Sequence, residues 1–161
     1  MGDNKPIKRS LWLMPLSREH HAGLQCAWKI REGLKYGVET DRIWRYILYF
    51  WENHLSSHFR AEEELLYNTS DDALCKQALT EHAAMRELIG LINEDGDEDV
   101  RLYKQFADSM EAHIRLEERQ LFPLLEATLP AAELAEIGAV LAGEHGTVFK
   151  DEYPDEFWIK S

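Results

Sequence analysis

The sequence predicts an all-α protein: an up-down-up-down four-helix bundle with a short C-terminal fifth helix. Three observations predict it. Four long stretches repeat apolar side chains at three- and four-residue spacing, the period of a half-buried helix. The connections between them are short and rich in turn and capping residues. No stretch competes as a strand. "WRYILYFW" (44–51) is rich in strand formers, but it lies inside a helical stripe without turn punctuation.

The first helix is expected over about 16–36, with Leu16, His20, Leu24, Ala27, Ile30 and Leu34 on one stripe. "YGVETD" ends it at Gly37 and offers Thr40 or Asp41 as a cap for the next helix. The second helix, about 42–67, carries Ile43, Ile47, Phe50, His54, His58, Glu62 and Leu65 or Leu66 on one side. "NTSDD" stops it and supplies caps for a third helix, about 73–92, with Leu79, His82, Met85 or Arg86, Ile89 and Ile92. After the acidic turn "NEDGDED" a fourth helix, about 100–125, aligns Phe106, Met110, His113, Glu117, Leu121 and Leu124. A fifth starts near Pro130, a good first-turn residue, and ends near Gly143. The tail "DEYPDEFWIKS" reads as irregular, with Phe157 and Trp158 tucked against the bundle. Trp28, Trp44 and Trp51 fit helix packing. The division is an N-terminal extension (1–15), a metal-binding bundle (16–126) and a C-terminal helix and tail (127–161).

The length of 161 residues suits one domain, and a hydrophobic content of 45% is enough to build its core. The net charge of -12 argues against nucleic acid and against anionic lipid as partners. "LWLMPL" near the N-terminus is too short for a secretory signal, and Pro6 stands where a myristoylation pattern wants Ser or Thr. No apolar run reaches the length of a membrane span, so a cytoplasmic protein is expected. Cys26 and Cys75 form no C-x-x-C and read as small buried residues.

The histidines carry the chemistry. "HLSSHFRAEE" sets His54, His58 and Glu62 one turn apart on one helical face, and "HIRLEE" repeats the spacing with His113 and Glu117. In an up-down bundle, residues equidistant from a turn share a height. His20 and His58 lie equally far from the turn near 39, and His58 and His82 equally far from the turn near 70. His82 and His113 differ by about three residues from the turn near 96, roughly 4.5 Å, which side chains span. One histidine per helix therefore reaches one layer. Burying four imidazoles and two carboxylates there is expensive unless they are paired, and a metal removes the cost. This donor set suits iron, manganese or zinc. Six ligands exceed one closed zinc site, and two carboxylates able to bridge suggest two ions.

These residues resemble the hemerythrin-like HHE cation-binding family, from "PLSREHHAGL" through "HIRLEERQLFPLLE". The resemblance implies a hemerythrin-like bundle around a non-haem di-iron centre, oxo- or hydroxo-bridged. It implies His20, His58, His82 and His113 as terminal ligands and Glu62 and Glu117 as bridges. "LFP" (121–123) also fits. Oxygen-carrying hemerythrins have H-x-x-x-H on the third helix, whereas here His82 is followed by Arg86, which weakens the oxygen-carrier reading. Ferritin-like sites use E-x-x-H, and no histidine here has a glutamate three residues before it.

Around the six, His21 points about 100° away from His20 and reads as solvated or supporting, with the alternative that it replaces His20 as ligand. His54 reads as an extra ligand, a channel lining or a plain hydrogen-bonded residue. His145 reads as a helix cap or surface residue. Glu63 and Glu118 face away from the ligands or support them, and Arg86 is expected to pair with a carboxylate. The resemblance implies a protein that binds or senses O2, NO or peroxide, or handles iron. The alternatives are a redox enzyme (peroxidase-like, or an iron-sulfur repair protein, whose extra cysteine-bearing segment is not visible) and a bundle stapled by metal. No nucleophile, general base or substrate pocket can be named, so the reading leans away from a defined enzyme. The fifth helix and aromatic tail are surfaces through which a homodimer would form.

Overall fold

The computed structural model describes residues 9–94 and 99–160. Most of the expected N-terminal extension, and the acidic turn near 96 used for the third height match, lie outside the described residues. Among the described residues there are five helices and no strand. Helix α1 is Met14–Lys35. Helix α2 runs as Thr40–Phe50, a π turn Trp51–Leu55, Ser56–Glu62 and a second π turn Glu63–Tyr67. Helix α3 is Ala73–Glu94. Helix α4 runs as Val100–Leu116, a π turn Glu117–Leu121 and Phe122–Thr128, and α5 is Ala131–Glu144. Among the described residues no helix is long and apolar enough to cross a membrane.

The ends follow local chemistry. Gly37 adopts φ 64, where a side chain would be strained, and Val38 N–H returns to the Gly33 carbonyl to close α1. Asp72 accepts Leu74 N–H at the start of α3, and Asp99 accepts Arg101 N–H at the start of α4. The start of α2 differs from expectation. Thr40 is already helical, Glu39 precedes it without a side-chain cap, and Asp41 instead pairs with Arg45 at 3.0 Å.

Two apolar clusters form the core. One gathers Ile30, Tyr46, Phe50, Met85, Phe106 and Phe157 among others; the second gathers Leu16, Leu66, Ala78, Leu121, Phe122 and Leu141. On each of α1 to α4 the histidine at 20, 58, 82 or 113 falls near the changeover from one cluster to the other. The expected stripes need three corrections. Leu24 is 39% exposed, Leu79 48% and Trp28 51%. The buried lines of α1 and α3 run instead through Gly23, Cys26 and Gly33, and through Cys75 and Ala78. Small residues let neighbouring elements come close, and the larger apolar side chains beside them are displaced to the rim.

Cys26 and Cys75 are buried and free. The tail is irregular, as expected, and Phe157 is buried with Trp158 packed against it. Phe157 is therefore spent inside this chain. It fits because Gly33 has no side chain: a Cβ there would lie 2.8 Å from the Phe157 ring. Gly33→Ala is expected to lower the unfolding free energy by about 1–3 kcal/mol through that overlap. Gly90→Ala, in α3 with open space around its Cβ position, is expected to raise it by about 0.5–1 kcal/mol. Urea unfolding followed by circular dichroism measures both, and equal effects would contradict the tail docking.

Candidate metal centre

Each expected site residue lies in one buried layer. His20, His58, Glu62 and Glu117 offer ligand atoms within 4.8 Å of one another, and so do Glu62, His82, His113 and Glu117. All six are buried. His20 faces this cluster and His21 faces solvent.

The histidine tautomers follow from what their outer nitrogens touch. His20 Nδ1 lies 2.7 Å from Glu118, and His58 Nδ1 lies 2.8 Å from Glu19. His82 Nδ1 is 2.8 Å from Glu63, and His113 Nδ1 is 2.7 Å from Glu81. A carboxylate only accepts, so each Nδ1 carries its hydrogen and each Nε2 of a neutral ring presents a lone pair inward. Those lone pairs meet more lone pairs. His58 Nε2 is 3.3 Å from Glu62 Oε2, and His113 Nε2 is 3.0 Å from Glu117 Oε1. The Nε2 atoms of His82 and His113 lie 2.9 Å apart. His20 Nε2, Glu62 Oε2 and Glu117 Oε1 make no hydrogen bond although they are buried and face one another at 3.3 and 3.6 Å. Converging lone pairs need a shared cation, a proton or a metal, so the donor set fits a metal.

Glu62 turns one oxygen to each group, Oε2 to His20 and His58 and Oε1 to His82. Glu117 is less symmetric. Its Oε1 faces both His20 and His113, while Oε2 accepts the Tyr67 hydroxyl at 2.7 Å.

The supporting carboxylates close a ring. Helix α1 gives Glu19 to His58 on α2, and α2 gives Glu63 to His82 on α3. In turn α3 gives Glu81 to His113 on α4, and α4 gives Glu118 to His20 on α1. For Glu63 and Glu118 the sequence leaves open facing away or supporting the histidines, and the structure takes the second; Glu19 and Glu81 are not anticipated. The missed signal was the doublets: Glu-His at 19–20 and 81–82, Glu-Glu at 62–63 and 117–118. Arg86 pairs with Glu63 at 2.7 Å, as expected, and Arg9 holds Glu118 at 2.8 Å. His145 caps the end of α5, one of the two roles expected, but it is buried rather than at the surface, and its Nδ1 meets Glu19 at 3.0 Å.

Tyr67 was also missed, for a geometric reason. Five residues along an α-helix is a rotation of about 140° from Glu62, on another face. The π turn Glu63–Tyr67 closes i→i+5 hydrogen bonds and brings Tyr67 back over Glu62, hydroxyl to Oε1 3.3 Å. The hydroxyl is also 3.0 Å from His82 Nε2 and 3.4 Å from His113 Nε2. The π turn Glu117–Leu121 does the same for Phe122, which stacks on His20 at 5.5 Å. Equivalent positions thus carry a hydroxyl at the His82 and His113 side and a bare ring at the His20 side.

His54 belongs to neither group of ligand atoms. It lines a small cavity beside His20, His58 and His113, with Gly23, Met110 and Ile114 among its apolar walls. Burial, with the neighbouring His58 charge, pushes its pKa down to about 4, so it is neutral at physiological pH. His20, His58 and His113 behave oppositely. Burial pulls His58 down, but Glu62 and Glu19 outweigh it and lift its pKa to about 9. Burial likewise opposes, and the surrounding glutamates overcome it, at His20 and His113, which rise well above the ordinary value. Burial would raise Glu62, yet His58 and its other partners hold it well below the usual carboxylate range. In the metal-free chain, protons on imidazoles therefore do the neutralising.

The model of the hemerythrin HHE cation binding domain matches residues 24–125 and again 78–151, well over half of the chain. No curated protein and no solved structure matches. His20 stands ahead of the matched residues and joins the cluster by geometry alone. The chain belongs to the hemerythrin HHE cation-binding domain family.

Proposed function

We propose that this chain holds a di-iron centre that binds or senses O2, NO or peroxide. The observation that carries the reading is the sharing of Glu62 and Glu117 by two four-residue groups. His20 and His58 would hold one ion, His82 and His113 the other, and Glu62 and Glu117 would be shared between them. The chemistry supplied by the bound metal is reversible coordination and electron exchange with a small oxygen- or nitrogen-based ligand. Zinc would suit the same donors without that electron exchange, whereas manganese would retain it. The reading includes an up-down-up-down bundle at 16–126, supported by the alternating order in which α1 to α4 meet the two apolar clusters. It includes a cytoplasmic location and leaves the exposed face of α5 for a second copy.

The chain's own residues give the two ions different surroundings. Tyr67 supplies an oxygen beside His82 and His113, on the side where Arg86 stands in place of a further histidine. Phe122 offers none beside His20, and a small cavity lined by His20, His54 and His58, which also reaches His113, lies there. A small ligand would enter through that cavity, which His20 and His58 line together with His113. Gly23, Met110 and Ile114 exclude water from it, and the ring of carboxylates keeps every Nε2 aimed inward.

Anaerobic iron loading followed by elemental analysis is expected to give about two ions per chain, falling to about one in His58→Ala. Admitting air to the loaded protein should add a charge-transfer band. One zinc or no metal with an unchanged spectrum would leave a metal-stapled bundle. Tyr67→Phe is expected to remove the phenolate vibrations from the resonance Raman spectrum of the oxidised iron protein while keeping both ions. Persistence of those vibrations would deny Tyr67 its place beside the metal. Metal uptake must expel the protons that His20, His58 and His113 carry. These raised values mean that protons compete more strongly as pH falls, so loading releases protons at neutral pH and affinity weakens on acidification. An indicator dye in weak buffer reads the release, and pH-independent uptake without release would contradict it.

A further inference from the structure

A second buried polar constellation sits away from the metal layer. Tyr46 is fully buried in α2 and donates its hydroxyl to Asp151 Oδ2 in the tail. The same oxygen accepts Lys29 Nζ from α1 at 2.8 Å. Lys29 also lies over the Trp158 ring at 4.1 Å and the Tyr46 ring at 5.3 Å. The tail is anchored by the Lys29–Asp151 pair, the Arg42–Asp155 pair and the Phe157 ring, and Tyr46 contributes through Asp151 and the tail rings. What anchoring leaves unexplained is the file of rings that leads from Tyr46 toward the metal layer.

That file is continuous in both directions. Inward, Tyr46 meets Phe50 at 6.2 Å, Phe50 meets His54 at 5.1 Å, and His54 stacks on His58 at 5.9 Å. Outward, Tyr46 meets Tyr153 at 5.2 Å and Trp158 at 5.8 Å, both half-buried at the surface. The file joins solvent to an imidazole of the metal layer, and its one buried phenol is bonded to a carboxylate.

We propose that Tyr46 is a one-electron relay between the metal centre and the surface, with Asp151 as its proton acceptor. The proposal rests on the di-iron reading for its physiological oxidant, which is hydrogen peroxide arriving at the centre. Peroxide reduced to two waters takes two electrons by way of the centre and two protons from solvent; each passage through Tyr46 restores one of those electrons, so two passages close one turnover. The Tyr46 O–H bond then breaks. Its electron passes through Phe50 and His54 to the centre, and its proton moves to Asp151 Oδ2. The products are a neutral tyrosyl radical and a protonated Asp151. The positive charge left in the cluster is the Lys29 ammonium, which keeps two aromatic faces as partners after Asp151 is neutralised. A soluble one-electron donor such as ascorbate returns an electron through Trp158 or Tyr153, and Asp151 returns the proton. The function added is reduction of the centre from solution without opening it to solvent.

Two experiments test this. Iron-loaded protein is mixed with peroxide, frozen within milliseconds and examined by electron paramagnetic resonance, using ring-deuterated tyrosine to identify a tyrosyl signal. The signal is expected in the unaltered chain and lost in Tyr46→Phe, which keeps the Lys29–Asp151 pair and so the tail. Asp151→Asn, which can accept a hydrogen bond but holds a proton poorly, is expected to lower the yield. Tyr49→Phe is expected to leave it unchanged. In parallel, the metal-free protein is oxidised by a photogenerated ruthenium(III) complex, which drives the relay from its outer end and needs no iron. A Tyr46-dependent radical there, with failure of iron loading, would overturn the di-iron reading and retain the relay. Iron that loads and consumes peroxide, with no radical or one indifferent to Tyr46→Phe in both experiments, would overturn the relay and retain the centre.

Discussion

Four imidazoles and two carboxylates buried in an apolar bundle set the terms for everything around them. Each group is costly to bury alone, and each imidazole has two nitrogens of which only one can face inward. The ring of glutamates answers both demands. By binding Nδ1 of each of the four clustered histidines it fixes the tautomer, aims Nε2 and spreads negative charge around a site that could hold cations. Arg9 and Arg86 then steady two of those glutamates, and His145 steadies a third. The fifth helix and the segment before α1 thus have a purpose that their distance in sequence from the histidines conceals.

The π turns are the second device. All three fall on the two helices that carry His-x-x-x-Glu, next to the residues that matter. Two of them return the side chain five residues after a central glutamate to its face, Tyr67 in one case and Phe122 in the other. A repeated backbone irregularity with two different side chains is how a nearly symmetric bundle makes its halves unlike. Strict α-helices would keep the six central residues and lose the asymmetry.

Much of this was legible in the sequence. Helix order, the six central residues and the pairing of Arg86 all follow from period, spacing and the cost of buried charge. What escaped has physical causes. Leu24, Leu79 and Trp28 look like core because they are large and near the stripe, yet close helix contact favours Gly23, Ala78 and Cys26. Tyr67 escaped because an α-helical wheel turns it away. Glu19 and Glu81 escaped because a glutamate beside a histidine faces a different direction on its own helix; only the neighbouring helix reveals whose imidazole it meets. The burial of His145 escaped because its partner lies across the chain, 126 residues distant.

The cyclic order of the carboxylate pairs has a consequence for how the bundle comes apart. Every one of the four helices both gives a glutamate to a neighbour and receives one for its own histidine. Peeling away any single helix leaves one imidazole and one carboxylate orphaned on its two neighbours, whichever helix it is. A three-helix remnant is therefore never a self-sufficient intermediate at this layer. The middle of the molecule behaves as a keystone course, where no stone can be lifted first, while the apolar ends remain free to fray.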